Sequence, residues 1–162
     1  MIFNSVLMKA VTQNDKNLWL KVMDTIFRAT NYIRSFPDKH RCVVECHSIC
    51  RALGLHIPEL KVVDGSFLGL ETRAVDNGRE FDVRCCDHSW LLTPDKAIID
   101  PYPVGIIVTN PVLIPANGKY KWWGKECYIA DHSVAKRVVD RDLVRKSSIL
   151  LRFIRESEKL SE

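Results

Sequence analysis

The chain has 162 residues, of which 46% are hydrophobic and 27% are charged, and its formal net charge is +4. This length and composition are typical of one globular domain with a buried core, so we expect a single domain over residues 1–162. No apolar run approaches the ~20 residues of a membrane span. The basic residues collect after Asp131 with Phe153 as the only interleaved aromatic residue, which argues against a nucleic-acid interface.

The N-terminal sequence indicates whether the cysteine thiols of the protein are reduced. The first nine residues lack the basic and then apolar layout of a signal peptide, so we expect a cytoplasmic protein with reduced thiols. The six cysteines are Cys42, Cys46, Cys50, Cys85, Cys86 and Cys127. Thiols in such a protein serve core packing, metal binding or catalysis.

Two helices are predicted in the first third of the chain. Apolar residues at helical spacing predict a helix from Asn14 or Asp15 to about Phe36, before Pro37. A second helix is predicted from an N-cap at Asp38 to about Leu53, with Gly54 as its C-terminal stop.

Three cysteines lie on the predicted buried face of this second helix. Cys42 falls in or just after its first turn, where free backbone N–H groups and the helix dipole favour a thiolate. Cys46 and Cys50 lie one and two turns further along, where these N–H groups are used, and we interpret them as packing residues. A small core residue is the alternative role for Cys42.

The middle of the chain is predicted to form an antiparallel sheet. Leu60–Gly65 reads as a strand that ends in a turn, and 67–73 and 81–84 read as further strands around a turn at 76–78. Residues 101–105 are predicted to be a loop, 106–109 one more strand, and 110–131 an irregular covering segment with some strand. A helix is expected from 131 or 133 to about 160.

Residues 87–101 predict a β-hairpin with Thr93-Pro94-Asp95 as its loop. This loop pairs Leu92 with Lys96, Trp90 with Ile98 and His88 with Asp100. Side chains of opposite residues lie on one face about 5 Å apart, within reach of an imidazole–carboxylate hydrogen bond. A histidine oriented by an aspartate is the base of a nucleophilic triad.

These residues together resemble the transglutaminase-like branch of the papain-like cysteine enzymes. The resemblance covers roughly residues 38–105 and rests on Cys42 with its helix through 51–55, on 62–65, on His88-Ser89-Trp90 and on Asp100-Pro101. It departs from the family at Arg41 and in a helix about one turn shorter than expected. It implies an α+β fold in which N-terminal helices pack on an antiparallel sheet, with a C-terminal helix.

The resemblance also implies an activity. Cys42 would be the nucleophile, His88 the base and Asp100 the residue that orients the imidazole, in a hydrolase of amide bonds in proteins or peptides that forms a thioester. A peptidase, a glutamine deamidase and an acyltransferase all fit this chemistry. We expect no cofactor.

Two alternatives belong to other classes. A non-catalytic protein-binding domain of the same fold would use Tyr120, Trp122 and Trp123 as a partner-facing patch. A structural zinc site would combine Cys85, Cys86 and His88 with Cys42 or Cys46 and His47, but adjacent cysteines in a strand point to opposite faces and no Cys-x2-Cys pair is present.

Overall fold

The computed structural model describes residues 11–35, 45–75, 78–102, 111–116, 121–122 and 125–160. The helices in this part of the chain are α1 (Gln13–Arg34), α2 (Cys46–His56), α3 (His132–Val138) and α4 (Arg141–Lys159). The strands are β1 (Lys61–Val75), β2 (Gly78–Leu92), β3 (Ile98–Asp100), β4 (Val112–Ile114), β5 (Lys121–Trp122), β6 (Lys125–Glu126) and β7 (Tyr128–Ala130).

Within the described residues the main sheet has five strands in the order β4-β3-β2-β1-β7, and every neighbouring pair is antiparallel. β5 and β6 form a separate two-stranded ribbon. Helices precede and follow the sheet in the chain, so the predicted α+β class is confirmed. The predicted strand at 106–109 lies outside the described residues.

The first helix forms where the sequence predicts it. Thr12 caps α1 by accepting a hydrogen bond from the backbone N–H of Asp15 at 3.0 Å. Leu18, Val22 and Ala29 are buried along its inner face. The helix ends at Arg34, two residues before the predicted end, because Ser35 is already its C-cap.

The second helix begins later than the sequence suggests. Glu45 is extended, with φ −137° and ψ 162°, and its backbone N–H donates to the Ser48 hydroxyl at 3.2 Å. The predicted continuous helix from Asp38 to Leu53 is therefore wrong: α2 starts at Cys46 and runs through Gly54 to His56. Cys42 lies outside the described residues.

β1 and β2 form one long ribbon rather than a series of short strands. The predicted turn at Gly65 is wrong, since Gly65 lies within β1 opposite His88 of β2 and Ala130 of β7. A Cβ atom at Gly65 would come within 2.1 Å of the Ile129 carbonyl oxygen and 2.6 Å of the Trp90 ring. Glycine is required here for close packing, not for a turn.

The C-terminal region contains two helices instead of the single one predicted. Val139 is extended and Asp140 begins a new cap, with its side chain accepting from the backbone N–H of Leu143 at 2.8 Å. Asp131 caps the short helix α3 in the same way through Ser133. The N-caps Asp131 and Asp140, nine residues apart, therefore divide the predicted C-terminal helix into two helices.

The core lies between the helices and one face of the sheet. Leu18 and Val22 of α1, Cys50 and Leu53 of α2, Leu91 of β2, Ile99 of β3, and Leu150 and Ile154 of α4 form one buried cluster. In this cluster α2 packs between the sheet and α4, which fixes the position of the first turn of α2. No helix in the described ranges is long and apolar enough to cross a membrane.

Candidate active site

The hairpin that carries the predicted histidine and aspartate forms, but its loop lies one residue further on. Lys96 donates its N–H to the Thr93 carbonyl at 3.0 Å, and Thr93 donates to the Ala97 carbonyl at 2.9 Å. The loop is therefore Pro94-Asp95-Lys96, with a positive φ of 68° at Lys96. Three-residue loops of this kind need such a conformation at their last position.

This shift changes the pairing of the two strands. Leu92 pairs with Ile98 and Leu91 with Ile99, so the predicted pairs are wrong by two residues. Because side chains alternate with a period of two, a two-residue shift keeps every side chain on its predicted face. Asp100 is thus a diagonal neighbour of His88, and its Oδ2 lies 2.8 Å from His88 Nε2.

Three hydrogen bonds from the described part of the chain hold Asp100. Besides the His88 ring, the Tyr128 hydroxyl donates to Oδ2 at 2.7 Å and the backbone N–H of Tyr102 donates to Oδ1 at 3.0 Å. His88 and Asp100 are both fully buried. The carboxylate is therefore fixed in position, and it fixes the His88 ring in turn.

Cys46, not Cys50, lies beside this histidine. It is the first residue of α2, and its thiol lies near the rings of His47 and His88. Burial alone would raise the pKa of the thiol, but the interactions with the two rings outweigh it and lower the pKa from 9.0 to about 6. The prediction that Cys46 lies beyond the first turn, where the backbone N–H groups are already used, is therefore wrong.

The pKa of His88 shifts in the opposite direction to that of Cys46. Burial favours the neutral form of His88, but the hydrogen bond to Asp100 and the interaction with Cys46 outweigh this effect and raise its pKa from 6.5 to about 9. Its Nδ1 is buried and has no hydrogen-bond partner within the described residues. These opposite shifts favour a thiolate and an imidazolium over the neutral pair.

Aromatic side chains surround the histidine on its face of the sheet. The centroid of the His88 ring lies 5.4 Å from that of Phe67 and 6.4 Å from those of Trp90 and Tyr128. The Trp90 and Tyr128 rings meet edge to face at 5.2 Å. This apolar surround excludes water from the His88–Asp100 hydrogen bond and strengthens it.

Cys50 lies one turn along α2 and has a different environment. It is fully buried, and its thiol donates to the Ser89 carbonyl at 3.2 Å. Burial, together with the nearby Asp100 carboxylate, raises its pKa well above 9.0. These observations agree with the interpretation of Cys50 as a packing residue.

The other predicted binding features are only partly described. In the described part of the chain, no group of three or more His, Cys, Asp or Glu side chains is arranged to hold a metal ion. Cys85 is exposed and Cys86 contacts the Phe67 carbonyl at 3.7 Å.

The side chains of the proposed aromatic patch at 120–123 lie outside the described residues. A groove of about 400 Å³ between α2, β1 and α4 does not include Cys46 or His88 among its lining residues.

A comparison of the chain with models of protein families, with curated proteins and with solved structures found no match. The resemblance to the transglutaminase-like enzymes therefore rests on the residues of the chain itself.

Proposed function

We propose that the protein is a cysteine hydrolase of transglutaminase-like fold that cleaves amide bonds in a protein or peptide through a Cys46-His88-Asp100 triad. The observation that carries the proposal is a thiol with a lowered pKa at the start of a helix, beside an imidazole with a raised pKa. Cys46 takes the role that the sequence predicted for Cys42, because the observed N-cap, Glu45, lies seven residues after the predicted N-cap, Asp38.

The reaction follows from this arrangement. The Cys46 thiolate attacks the carbonyl carbon of the amide, and His88 gives its proton to the leaving amine. The resulting thioester is hydrolysed by water, whose proton passes to His88, and the sulfur leaves as a thiolate. Asp100 keeps the imidazole ring oriented and stabilises its charged form throughout.

The start of α2 also offers a group for the developing oxyanion. Cys46 is the first residue of the helix, so its backbone N–H has no carbonyl four residues earlier within the helix. An N–H at this position points out of the helix end, whose dipole favours negative charge. The same turn would then supply the nucleophile and one oxyanion donor.

A generic acyl donor tests the proposal without knowledge of the substrate. With p-nitrophenyl acetate, we expect a burst of nitrophenolate and an acetyl group on the peptide that contains Cys46, found by mass spectrometry. The rate should follow a bell-shaped pH profile with limbs near pH 6 and pH 9. Below the lower limb the sulfur is protonated, and above the upper limb the imidazolium is lost.

The matched variants are Cys46→Ser and Cys85→Ser. Cys46→Ser should abolish the burst, whereas Cys85→Ser should retain it, because Cys85 is exposed and belongs to no such pair. An acetyl group that appears first on another cysteine would remove Cys46 from the role of nucleophile. Iodoacetamide gives a second reading, since alkylation at pH 7 should modify Cys46 before Cys85.

A further inference from the structure

The hydroxyl of Tyr128 and the ring of His88 contact the same oxygen of Asp100. Tyr128 Oη lies 2.7 Å from Asp100 Oδ2, and His88 Nε2 lies 2.8 Å from it. An ionised carboxylate can only accept, so both groups are donors and His88 Nε2 carries a proton. In neutral His88 the basic nitrogen is therefore Nδ1, which is the nitrogen that exchanges protons in the proposed reaction.

Packing holds the ring of Tyr128 in place. Its centroid lies 4.9 Å from that of Phe67 on β1 and 5.2 Å from that of Trp90 on β2. Tyr128 is opposite Phe67 in the pairing of β7 with β1, so the register of these strands sets its position along the sheet. Two aromatic contacts and one strand pairing thus hold the ring where its hydroxyl reaches Asp100 Oδ2.

The two donors share the negative charge of one oxygen. A hydrogen bond from the Tyr128 hydroxyl stabilises this charge, so the same oxygen becomes a weaker acceptor for the second donor. The attraction between Asp100 and the imidazolium form of His88 is therefore reduced. An imidazolium that is held less strongly gives its proton more readily to a leaving amine.

We infer that Tyr128 is a positioning residue of the proposed triad, which acts on His88 through Asp100 and limits how strongly the carboxylate holds the imidazolium. The inference rests on the proposed function. It adds β7 to α2, β2 and β3, which supply Cys46, His88 and Asp100.

Titratable side chains lie near His88 on α2, β3 and β7 in the described part of the chain, and they are Cys46, Asp100 and Tyr128. On β2 itself, Cys86 precedes His88 by two residues on the same strand face, and its thiol contacts a backbone carbonyl. Burial lowers the pKa of His88, whereas Asp100 and Cys46 both raise it. The effect of Tyr128 is therefore measured most directly in Cys46→Ser protein, where the thiolate is absent.

Nuclear magnetic resonance of the His88 ring tests the inference. In Cys46→Ser protein, adding Tyr128→Phe should move the titration of His88 to higher pH, with about a threefold change in its acid dissociation constant. Tyr102→Phe is the matched control and should leave the titration unchanged, because Tyr102 contacts Asp100 through its backbone N–H. In an Asp100→Asn background, Tyr128→Phe should have little effect, since the effect passes through the carboxylate.

Tyr128→4-aminophenylalanine provides the test if the phenylalanine variant does not fold. The amine keeps a neutral donor at the position of the hydroxyl, but it donates more weakly than a phenol does. The titration of His88 should then move in the same direction by a smaller amount. Near-ultraviolet circular dichroism of each variant checks that the fold is retained.

Different results overturn the inference and the proposed function. If Tyr128→Phe leaves the titration of His88 unchanged or moves it to lower pH, Tyr128 does not limit the hold of Asp100 and the inference is wrong. If the unsubstituted protein gives no burst with p-nitrophenyl acetate, the proposed function fails, and the titration still decides the effect of Tyr128 on His88. If both proposals are correct, the upper limb of the burst profile should move to higher pH in Tyr128→Phe.

Discussion

The carboxylate of Asp100 is buried without a cationic side chain of Lys or Arg among its described contacts, and hydrogen bonds stabilise it instead. Its Oδ2 accepts from both His88 and Tyr128, and its Oδ1 accepts from the backbone of Tyr102. Tyr128 comes from β7, at the far end of the sheet, so it links this strand to the site across β1 and β2.

Tyr128→Phe removes one donor from the buried carboxylate. A hydrogen bond to a charged group contributes about 1.5–3 kcal/mol, so we expect the free energy of unfolding to fall by roughly 2 kcal/mol. Urea denaturation followed by tryptophan fluorescence measures this loss. Tyr102→Phe is the matched control, because Tyr102 contributes only its backbone N–H and its side chain is exposed. Equal stability of the two variants would show that the Tyr128 hydroxyl does not hold Asp100.

At the scale of single residues, the sequence does not determine whether the second helix begins near Cys42 or at Cys46. The two residues are four positions apart, so helical periodicity places them on one face and cannot say which of them begins the helix. Asp38 is a good candidate for an N-cap, but the observed cap is Glu45, a residue with little preference for this position. The signal in the sequence is Ser48, three residues after Glu45, whose hydroxyl accepts the backbone N–H of Glu45.

At the scale of the elements, the hairpin was predictable and its register was not. Pro94 and Asp95 favour a turn, but both Thr93–Asp95 and Pro94–Lys96 are loops of three residues that contain them. The structure selects the second loop because the Thr93 hydroxyl accepts the N–H of Ala97 and donates to Asp15 of α1. A hydrogen bond between two residues 78 positions apart in the chain thus decides the register of the hairpin.

The positive φ of Lys96 gives a prediction for this element. A side chain with a Cβ atom costs roughly 1 kcal/mol in the left-handed region, and glycine does not incur this cost. Lys96→Gly should therefore raise the free energy of unfolding by about 0.5–1 kcal/mol, as measured by thermal or urea denaturation. Lys96→Ala, which keeps a Cβ atom, should leave it nearly unchanged. A loss of stability in the glycine variant would contradict the assigned loop conformation.

Two hydrogen bonds join α1 and the residue before it to the hairpin of β2 and β3. The order of helices and antiparallel strands could be predicted from apolar periodicity and turn residues. The unbroken course of β1 could not, because a glycine needed for close packing at Gly65 looks the same in sequence as a glycine in a turn. The contacts of Asp15 with Thr93 and of Thr12 with Asp95 could not be predicted either, since they join residues far apart in the chain.

Asp15→Ala tests this junction. Asp15 is 2% exposed and accepts from the Thr93 hydroxyl at 2.6 Å, so its loss leaves a buried hydroxyl with one partner fewer. We expect the free energy of unfolding to fall by about 1–3 kcal/mol in a urea titration. Asp95→Ala removes the exposed hydrogen bond between Asp95 and Thr12, and it should lower the free energy of unfolding by less than about 0.5 kcal/mol. A larger loss for Asp95→Ala than for Asp15→Ala would contradict this account.

The lowered pKa of Cys46 also determines how the protein responds to peroxide. Oxidants attack thiolates, so the proposed nucleophile is more susceptible than Cys50, whose thiol stays protonated and fully buried. Cys50 is one turn away but is poorly suited to trap a sulfenic acid as a disulfide, since its sulfur donates to a backbone carbonyl. Cys50 should therefore give Cys46 no protection against over-oxidation in protein kept without a reducing agent.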